Sequence, residues 1–437
     1  MPTQPQSPFA PKDPLPLALS WQLAGQTFVS QDLAARINRL KNRLGPILAA
    51  RSDLQPDDTF RIIIDGNEIK PPSIPGSKGA FPDFEIFDLG VLGPDVIAEL
   101  EKFAKDENGS GSGLQVSLTS SLGISAARGW CPSEAGYPHL GTTGLALAQL
   151  GAGHLSGPSA TGRKTFVVVV DQGINARVLR KRVPNARFAG GWWVRKPCSA
   201  AWTKAGAWAD GHGTRMAEAV LSVAPEATII DLPLLPPRIR DLRGFLPWAA
   251  WVYWSLGWVI EELRRTHPGW SCVICNAWSV YNLRDDFPTR SPWNYGANPK
   301  NVLNRLVGDI ARRGLADVVF AAGNGGQFCP DARCGPGQIG PGRSIYGAAA
   351  VADVLTVGAV RNDQTWLGYS AQGPAPRLFA SAKPDLVAPS QFTAPADAAR
   401  GYGGTSAACA LAAGAIAAAR SVRHVRPLTP AAMRARA

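Results

Sequence analysis

Four residues of this chain have the types and settings that a nucleophilic relay needs. Asp171 directly follows an apolar run, Phe166 to Val170, and precedes Gln172-Gly173. A carboxylate at the end of a buried strand is shielded from water, yet it can accept a hydrogen bond from an imidazole. His212 is one of 5 histidines, stands between Gly211 and Gly213, and leads into a helical stretch through Met216 to Val220. The flanking glycines leave its ring room to meet a second group. Asn324 ends another apolar run in Ala321-Ala322-Gly323-Asn324-Gly325. An amide held rigidly there can donate to an oxygen that is gaining negative charge. Ser406 follows Gly401, Gly403 and Gly404 and begins an alanine-rich helix. Free N–H groups and the positive end of the helix dipole favour negative charge at that place.

Each residue has an ordinary alternative. An Asp after a strand orders a turn, and a His at a helix entry caps it. An Asn beside Gly takes a left-handed turn, and a Ser before a helix serves as N-cap. The set outweighs these alternatives because one chain supplies nucleophile, base, orienting acid and oxyanion donor together.

The elements that must position these residues can be read from the apolar pattern. Residues 166–170, 227–230, 273–274, 318–322 and 354–357 are short and almost wholly apolar. Such runs are strands of a parallel sheet covered on both faces. Asn301 to Arg312 has apolar residues at 302, 303, 306, 307 and 310, a helical spacing, and Ser406 to Arg420 is helical by composition. Catalytic groups of open α/β sheets gather at the carboxyl ends of strands, and all four candidates fall at strand ends or helix starts. Gly244 to Ile260 is apolar and tryptophan-rich, at about 17 residues the lower limit of a membrane span. Glu261, Glu262, Arg264 and Arg265 follow it directly, so it is expected to be a buried core helix with a polar end, not a span.

Residues 1–14 read as a Pro-rich disordered tail and 15–120 as a small α+β unit. The unit's expected order is a strand at 17–23, a helix at 30–44, strands at 59–64 and 84–89, a helix marked by Val96, Ile97, Leu100 and Phe103, and a strand at 114–118. That is the split βαβ arrangement. Residues 121–139 form a linker and 140–437 the main α/β domain.

Composition narrows the class. The chain is 45% hydrophobic and 18% charged, with 46 glycines and 37 prolines, which suits a loop-rich enzyme better than a charged disordered chain. The net charge of +12 has no aromatic-interleaved stripe or zinc-finger spacing beside it. The basic runs 177–187 and 420–436 are therefore expected to be solvated faces, and nucleic acid is not an expected partner. The N-terminus is interrupted by prolines from Pro2 to Pro16 and lacks the continuous apolar core of an export signal. An odd number of cysteines, 7, fits a reducing compartment better than a disulfide framework. A cytoplasmic setting is expected. Cys329 and Cys334 lie close in a Gly/Pro loop, and unpaired thiols are the expected state because no histidine stands near to complete a zinc set.

The order Asp, His, Ser with these local sequences resembles the subtilisin family (subtilases). Val170-Asp171-Gln172-Gly173, Gly211-His212-Gly213-Thr214, Gly404-Thr405-Ser406-Ala407-Ala408 and Ala322-Gly323-Asn324 are similar to its Asp, His, Ser and oxyanion motifs. Val357-Gly358-Ala359-Val360, the stretch from Tyr369 to Pro374, and Lys383 to Pro389 follow in the family's order. The resemblance spans about residues 140 to 430. It implies a subtilisin-like parallel sheet with helices on both faces, preceded by a propeptide-like domain. It also implies a serine endopeptidase with the triad Asp171, His212 and Ser406 and with Asn324 in the oxyanion hole. Ala277, Trp278 and Ser279 would pair with a polypeptide substrate. No cofactor is required by this chemistry, and calcium is common in the family although no acidic loop here can be assigned to it. The N-terminal domain would be an intramolecular inhibitor or folding aid, with a permanent accessory domain that binds a partner as the alternative. A pseudoprotease or scaffold that binds a protein partner is the competing reading, with an esterase or peptide ligase third.

Three departures from the family pattern bear on substrate choice. Gln172 stands where Thr or Ser usually follows the Asp, and Ala410 where the Ser-bearing helix usually has Pro. The stretch from Cys275 to Val280 replaces a strand that ends in Ser-Leu-Gly and lines the cleft. A Trp or Val there narrows the first specificity pocket. The chain's last helix is expected to be short.

Overall fold

Strands β1 (Phe60–Ile69) and β2 (Phe81–Leu89) are rich in β-branched and aromatic residues and pair antiparallel. With β3 (Gln115–Ser117) they form a small sheet in the order β2-β1-β3. The strands expected at 59–64, 84–89 and 114–118 are present, the first two longer than expected. The computed structural model describes residues 141–151, 160–192, 194–195, 202–235, 245–284, 286–289, 291, 294–394, 397–423 and 425–436, with these strands and Lys102. The expected tail, the strand at 17–23, the helix at 30–44, the linker 121–139 and, apart from Lys102, the helix near 96–103 lie outside the described residues.

The main domain begins with β4 (Gly141–Thr142) and α1 (Thr143–Gln149), whose N-cap Thr142 accepts from the Leu145 N–H at 3.2 Å. Then come β5 (Thr165–Asp171), α2 (Ala176–Arg182) and β6 (Arg187–Gly191). A ribbon of β7 (Val194–Arg195) and β8 (Trp202–Thr203) leads to α3 (His212–Val223) and β9 (Thr228–Pro233). Helix α4 (Phe245–Thr266), β10 (Ser271–Asn276), α5 (Val302–Arg312), β11 (Asp317–Ala321), β12 (Leu355–Val360) and β13 (Leu386–Pro389) follow. The chain closes with β14 (Phe392–Ala394), β15 (Asp397–Tyr402), α6 (Gly404–Ser421) and a five-residue α7 (Pro430–Arg434), the short last helix expected.

Seven strands make one sheet in the order β13-β12-β11-β10-β5-β9-β6, every pair parallel. Side chains alternate between its faces. Phe166, Val168 and Val170 of β5 pack with α4 and α5, while Val167 and Val169 pack with α3 and α6. Both faces are thus covered, which is why these strands read as unbroken apolar runs. The chain leaves β5 toward β9 on one side and later returns beside it as β10. The carboxyl ends of β5 and β10 therefore flank the switch point where such sheets hold their ligands.

From Phe245 on, the segment expected as a core helix is α4, which continues through the polar end to Thr266. Leu246, Ala249, Tyr253, Leu256, Ile260 and Leu263 are buried along its inner face. Among the described residues no helix is long and apolar enough to cross a membrane.

Two expectations are corrected. Cys329 is in a disulfide whose partner lies outside the described residues, while Cys334 is a free thiol, as are the buried Cys272, Cys275 and Cys409. Disulfide geometry is set by which Cα atoms the fold brings near, and closeness in sequence does not show that. The odd cysteine count is therefore no sign of a chain without cross-links. The basic run 420–436 is also not simply a solvated face. Arg420 is 3% exposed, and its Nε and Nη2 each donate to the Asp317 carboxylate at 2.7 Å. Its Nη1 donates to the carbonyls of Val425, Arg426 and Leu428, tying the segment after α6 to the foot of β11.

Removing one partner of a buried ion pair leaves an uncompensated charge. Arg420→Met is expected to lower stability by about 3–5 kcal/mol, read as a shift in the denaturant midpoint. The pair replacement Arg420→Met with Asp317→Leu should recover much of the loss.

Candidate active site

Asp171 is the last residue of β5 and has no exposed surface. His212 Nδ1 lies 2.9 Å from its Oδ1 and 2.7 Å from its Oδ2. The Gln172 backbone N–H donates to Oδ1 at 2.7 Å, so the peptide after the Asp orients the carboxylate where the family usually has a hydroxyl residue. A carboxylate accepts only. The imidazole proton is therefore assigned to Nδ1, which leaves the Nε2 lone pair on the far side of the ring.

His212 is the first residue of α3, after an extended Gly211. The glycines beside it matter less for ring room than for backbone approach. A Cβ on Gly213 would lie 2.6 Å from the Gly173 carbonyl oxygen and 3.2 Å from Asp171 Cβ. Only glycine lets the start of α3 come this close to the loop after β5. The ring is 5% exposed, and Nε2 is buried with no hydrogen-bond partner.

Gly404 takes φ 69°, a left-handed conformation that turns the chain from β15 into α6. Ser406 follows in the first turn and is wholly buried. Its Oγ donates to the Ala277 carbonyl at 3.1 Å and is not bonded to the imidazole. Helices α3 and α6 pack together, and Ser406 meets the carbonyl just past β10, the strand paired with the one that ends in Asp171.

Asn324 follows β11 and is 2% exposed. Its Oδ1 accepts from the Thr405 N–H at 2.9 Å and from Thr405 Oγ1 at 3.0 Å. The Thr405 hydroxyl in turn accepts from the Gly323 N–H at 3.0 Å. With its oxygen committed to Thr405, the amide presents its NH2 on the opposite side. Thr405 thereby sets the direction in which Asn324 donates. Sequence reasoning passed over it, although it stands inside the stretch Gly404 to Ala408.

Ala277, Trp278 and Ser279 follow β10 and do different things. The Ala277 carbonyl meets Ser406. Trp278 turns into the core, where its ring lies 5.3 Å from that of Phe320 and Nε1 donates to Tyr253 Oη at 3.2 Å. The Tyr253 hydroxyl donates to Asn276 Oδ1, which fixes the end of β10 from below. Beside Ser279 lies a small cavity walled by Trp278, Val280, Tyr295, Phe320 and Tyr346. It has room for about one water. The Tyr346 hydroxyl donates to the Val280 carbonyl and braces the two walls together.

Among the described residues no three His, Cys, Asp or Glu side chains gather as metal ligands.

A model of the subtilase family matches residues 162–437. The chain is similar to several solved structures. One is a serine protease, MycP1, described as an essential component of the type VII (ESX-1) secretion system. It is 21% identical, with 73% of this chain and 88% of that one covered and a TM-score of 0.45. Another is the MycP3 protease of the type VII (ESX-3) system, 19% identical over 72% and 86%, with a TM-score of 0.44. A third is MycP1 from Mycobacterium smegmatis, 18% identical over 72% and 82%, with a TM-score of 0.42. No curated protein matches the chain.

Proposed function

The chain belongs to the subtilase family of subtilisin-like serine peptidases, and from that premise we propose that it is an endopeptidase working by acyl transfer at Ser406. One observation carries the reading. The buried Asp171 carboxylate holds His212 by Nδ1, while Nε2 is buried, has no hydrogen-bond partner in the protein and can take a proton.

In the proposed cycle, Ser406 Oγ turns from the Ala277 carbonyl to Nε2 as it attacks the substrate carbonyl. His212 takes the hydroxyl proton, and Asp171 stabilises the imidazolium without becoming protonated. The oxyanion is met by Asn324 Nδ2 and the Ser406 N–H at the start of α6. His212 then returns the proton to the leaving amine, and water attacking the acyl-enzyme completes hydrolysis by the same transfers. Extended substrate pairs with the backbone around Ala277 to Ser279.

The hydrogen bond from Ser406 to Ala277 is what favours the scaffold reading, in which the hydroxyl stays locked. A fluorophosphonate separates the two. Wild type is expected to be labelled covalently, and Ser406→Ala not at all; folded wild type that stays unlabelled refutes the enzyme. Asn324→Ala should lower kcat by about 10²–10³, the scale measured for such a donor in subtilisin itself.

The cavity beside Ser279 is proposed to receive the side chain that precedes the cleaved bond. Its size favours Gly, Ala or Ser there. In a peptide-library digest, cleavage is expected after small residues. Tyr346→Ala should improve turnover after Leu by about 10-fold or more, the worth of one or two methylenes in an apolar pocket. Equal cleavage after Phe by the wild type would exclude the assignment.

The small N-terminal sheet is proposed to shield the catalytic domain while remaining attached. β1 and β2 lie against α4, and β3 against α5, which supports the reading. Intact masses of wild type and Ser406→Ala are expected to agree; a shortened wild type would show self-removal instead.

A further inference from the structure

A second carboxyl lies beneath the Asp171–His212 pair. In the register of β5 with β9, Val169 stands opposite Asp231 and Asp171 opposite Pro233. Residues two apart share a face of a sheet, so Asp231 projects on the side of Val169 and Asp171. That is the face packed by α3 and α6. Asp231 has no exposed surface and sits between Ile230 and Leu232 in an otherwise apolar strand. Isolated burial of a carboxyl is costly, and the partners it has show what it holds.

Its Oδ2 accepts the Gly206 N–H at 2.8 Å, and the Ile174 N–H also donates to the carboxyl. Oδ1 is buried with no hydrogen-bond partner. The two N–H groups belong to the segments that shape the site. Ile174 lies in the loop that follows Asp171, and Gly206 in the approach to His212. These segments are sewn together. The Gly206 carbonyl accepts the Ala176 N–H at 2.9 Å, and the Ile174 carbonyl the Trp208 N–H at 3.2 Å. Asn175 Nδ2 donates to the Trp208 carbonyl at 2.7 Å, and the Asn175 N–H donates to Thr214 Oγ1, in the first turn of α3, at 2.9 Å. Asp231 is the anchor of this ring of bonds.

The charged group that faces Asp231 is Asp171 on β5, and among the described residues no cation pairs with it. β6 opposes it with Gly191, the 204–208 segment offers the Gly206 N–H, and α3 contributes His212 through Asp171. Burial, opposed by the two backbone donors and reinforced by Asp171, pushes the Asp231 carboxyl up to about 7.

We propose that Asp231 is a positioning residue whose proton sets how firmly the loop after Asp171 is clamped to the approach to His212, so that the site carries a second ionisation besides the imidazole. Ionised, Asp231 makes charge-assisted bonds to Gly206 and Ile174, which are stronger than neutral ones. It also places a negative charge behind Asp171, which favours the imidazolium. Protonated, it loosens the clamp and removes that charge. The inference rests on reading Asp171 and His212 as the catalytic pair, but its first test does not need catalysis.

A folded-state carboxyl raised from 3.8 to about 7 contributes stability that is complete below its unfolded value and is lost as pH rises through the folded one. Asp231→Asn keeps an acceptor for Gly206 and removes the charge. Its melting temperature relative to wild type should rise between pH 5 and pH 8; a difference that is flat with pH overturns the proposal. Should the variant fail to fold, the Asp231 carboxyl ¹³C resonance of wild type decides directly. A midpoint near neutrality is expected, and one in the ordinary aspartate range refutes the proposal. The second test is the rate of fluorophosphonate labelling against pH. Wild type should show an acid limb steeper than one proton, and Asp231→Asn a single ionisation shifted to lower pH. A purely structural role would scale the profile without changing its shape. Failure of labelling in both proteins would count against the protease reading alone, since the melting and resonance tests stand apart from it.

Discussion

A carboxylate without exposed surface is tolerated at Asp171 because an imidazole and the next peptide N–H meet it at once. Most of the nearby architecture serves that meeting. β5 must be central and buried so that its last residue is dry. α3 must start within van der Waals reach of the loop after β5, which Gly213 alone permits. α6 must run beneath the same sheet edge with its N-terminus toward the ring, and the left-handed Gly404 turns the chain into it. Dryness strengthens the ion-paired form of the Asp–His unit and removes the water that would compete for Nε2.

Buried charges elsewhere in the domain show what an ordinary solution looks like. Asp317 is matched by both arms of Arg420, and the Lys383 ammonium by Asp385 and the Val354 carbonyl. Burial pushes the Lys383 amine down and the Asp317 carboxyl up, and the partner resists in each case. These pairs pin segments of chain to the sheet. Asp231 has no such partner, and its neighbour carries the same sign. An unmatched carboxyl beside a matched one is costly for a fold that needs only packing, and the difference in environment separates the roles of the two.

The sheet was legible because both its faces are covered. Strands such as Phe166 to Val170 have no polar side to confuse the pattern, so their apolar runs mark them directly. The four candidate residues stood out because each lies within two positions of a glycine: Gly173, Gly211 and Gly213, Gly323 and Gly325, and Gly404. What stayed hidden depends on partners distant in sequence. Asp231 looks like a blemish in an apolar strand until the fold brings Gly206 and Ile174 to it. Tyr346 looks like any aromatic until its hydroxyl reaches Val280 across the cavity. Cys329 looks like a neighbour of Cys334, yet its disulfide partner is another residue. Trp278 was expected to narrow the first specificity pocket. The fold turns it into the core, and it shapes the cavity from beneath.

On the proposed reading, Ser406 shows how a chain can hold a nucleophile without completing its bond to the base. Ser406 Oγ has a carbonyl acceptor at 3.1 Å, a neutral bond of modest net worth. His212 Nε2, left bare, lacks a bond that it would gain by accepting the hydroxyl. In the proposed cycle, transfer of Oγ from Ala277 to Nε2 would trade one hydrogen bond for another and free the Ala277 carbonyl for a substrate N–H. On that reading, a substrate N–H pairing at Ala277 would compete with the bond that holds the Ser406 hydroxyl, and so would couple binding to activation.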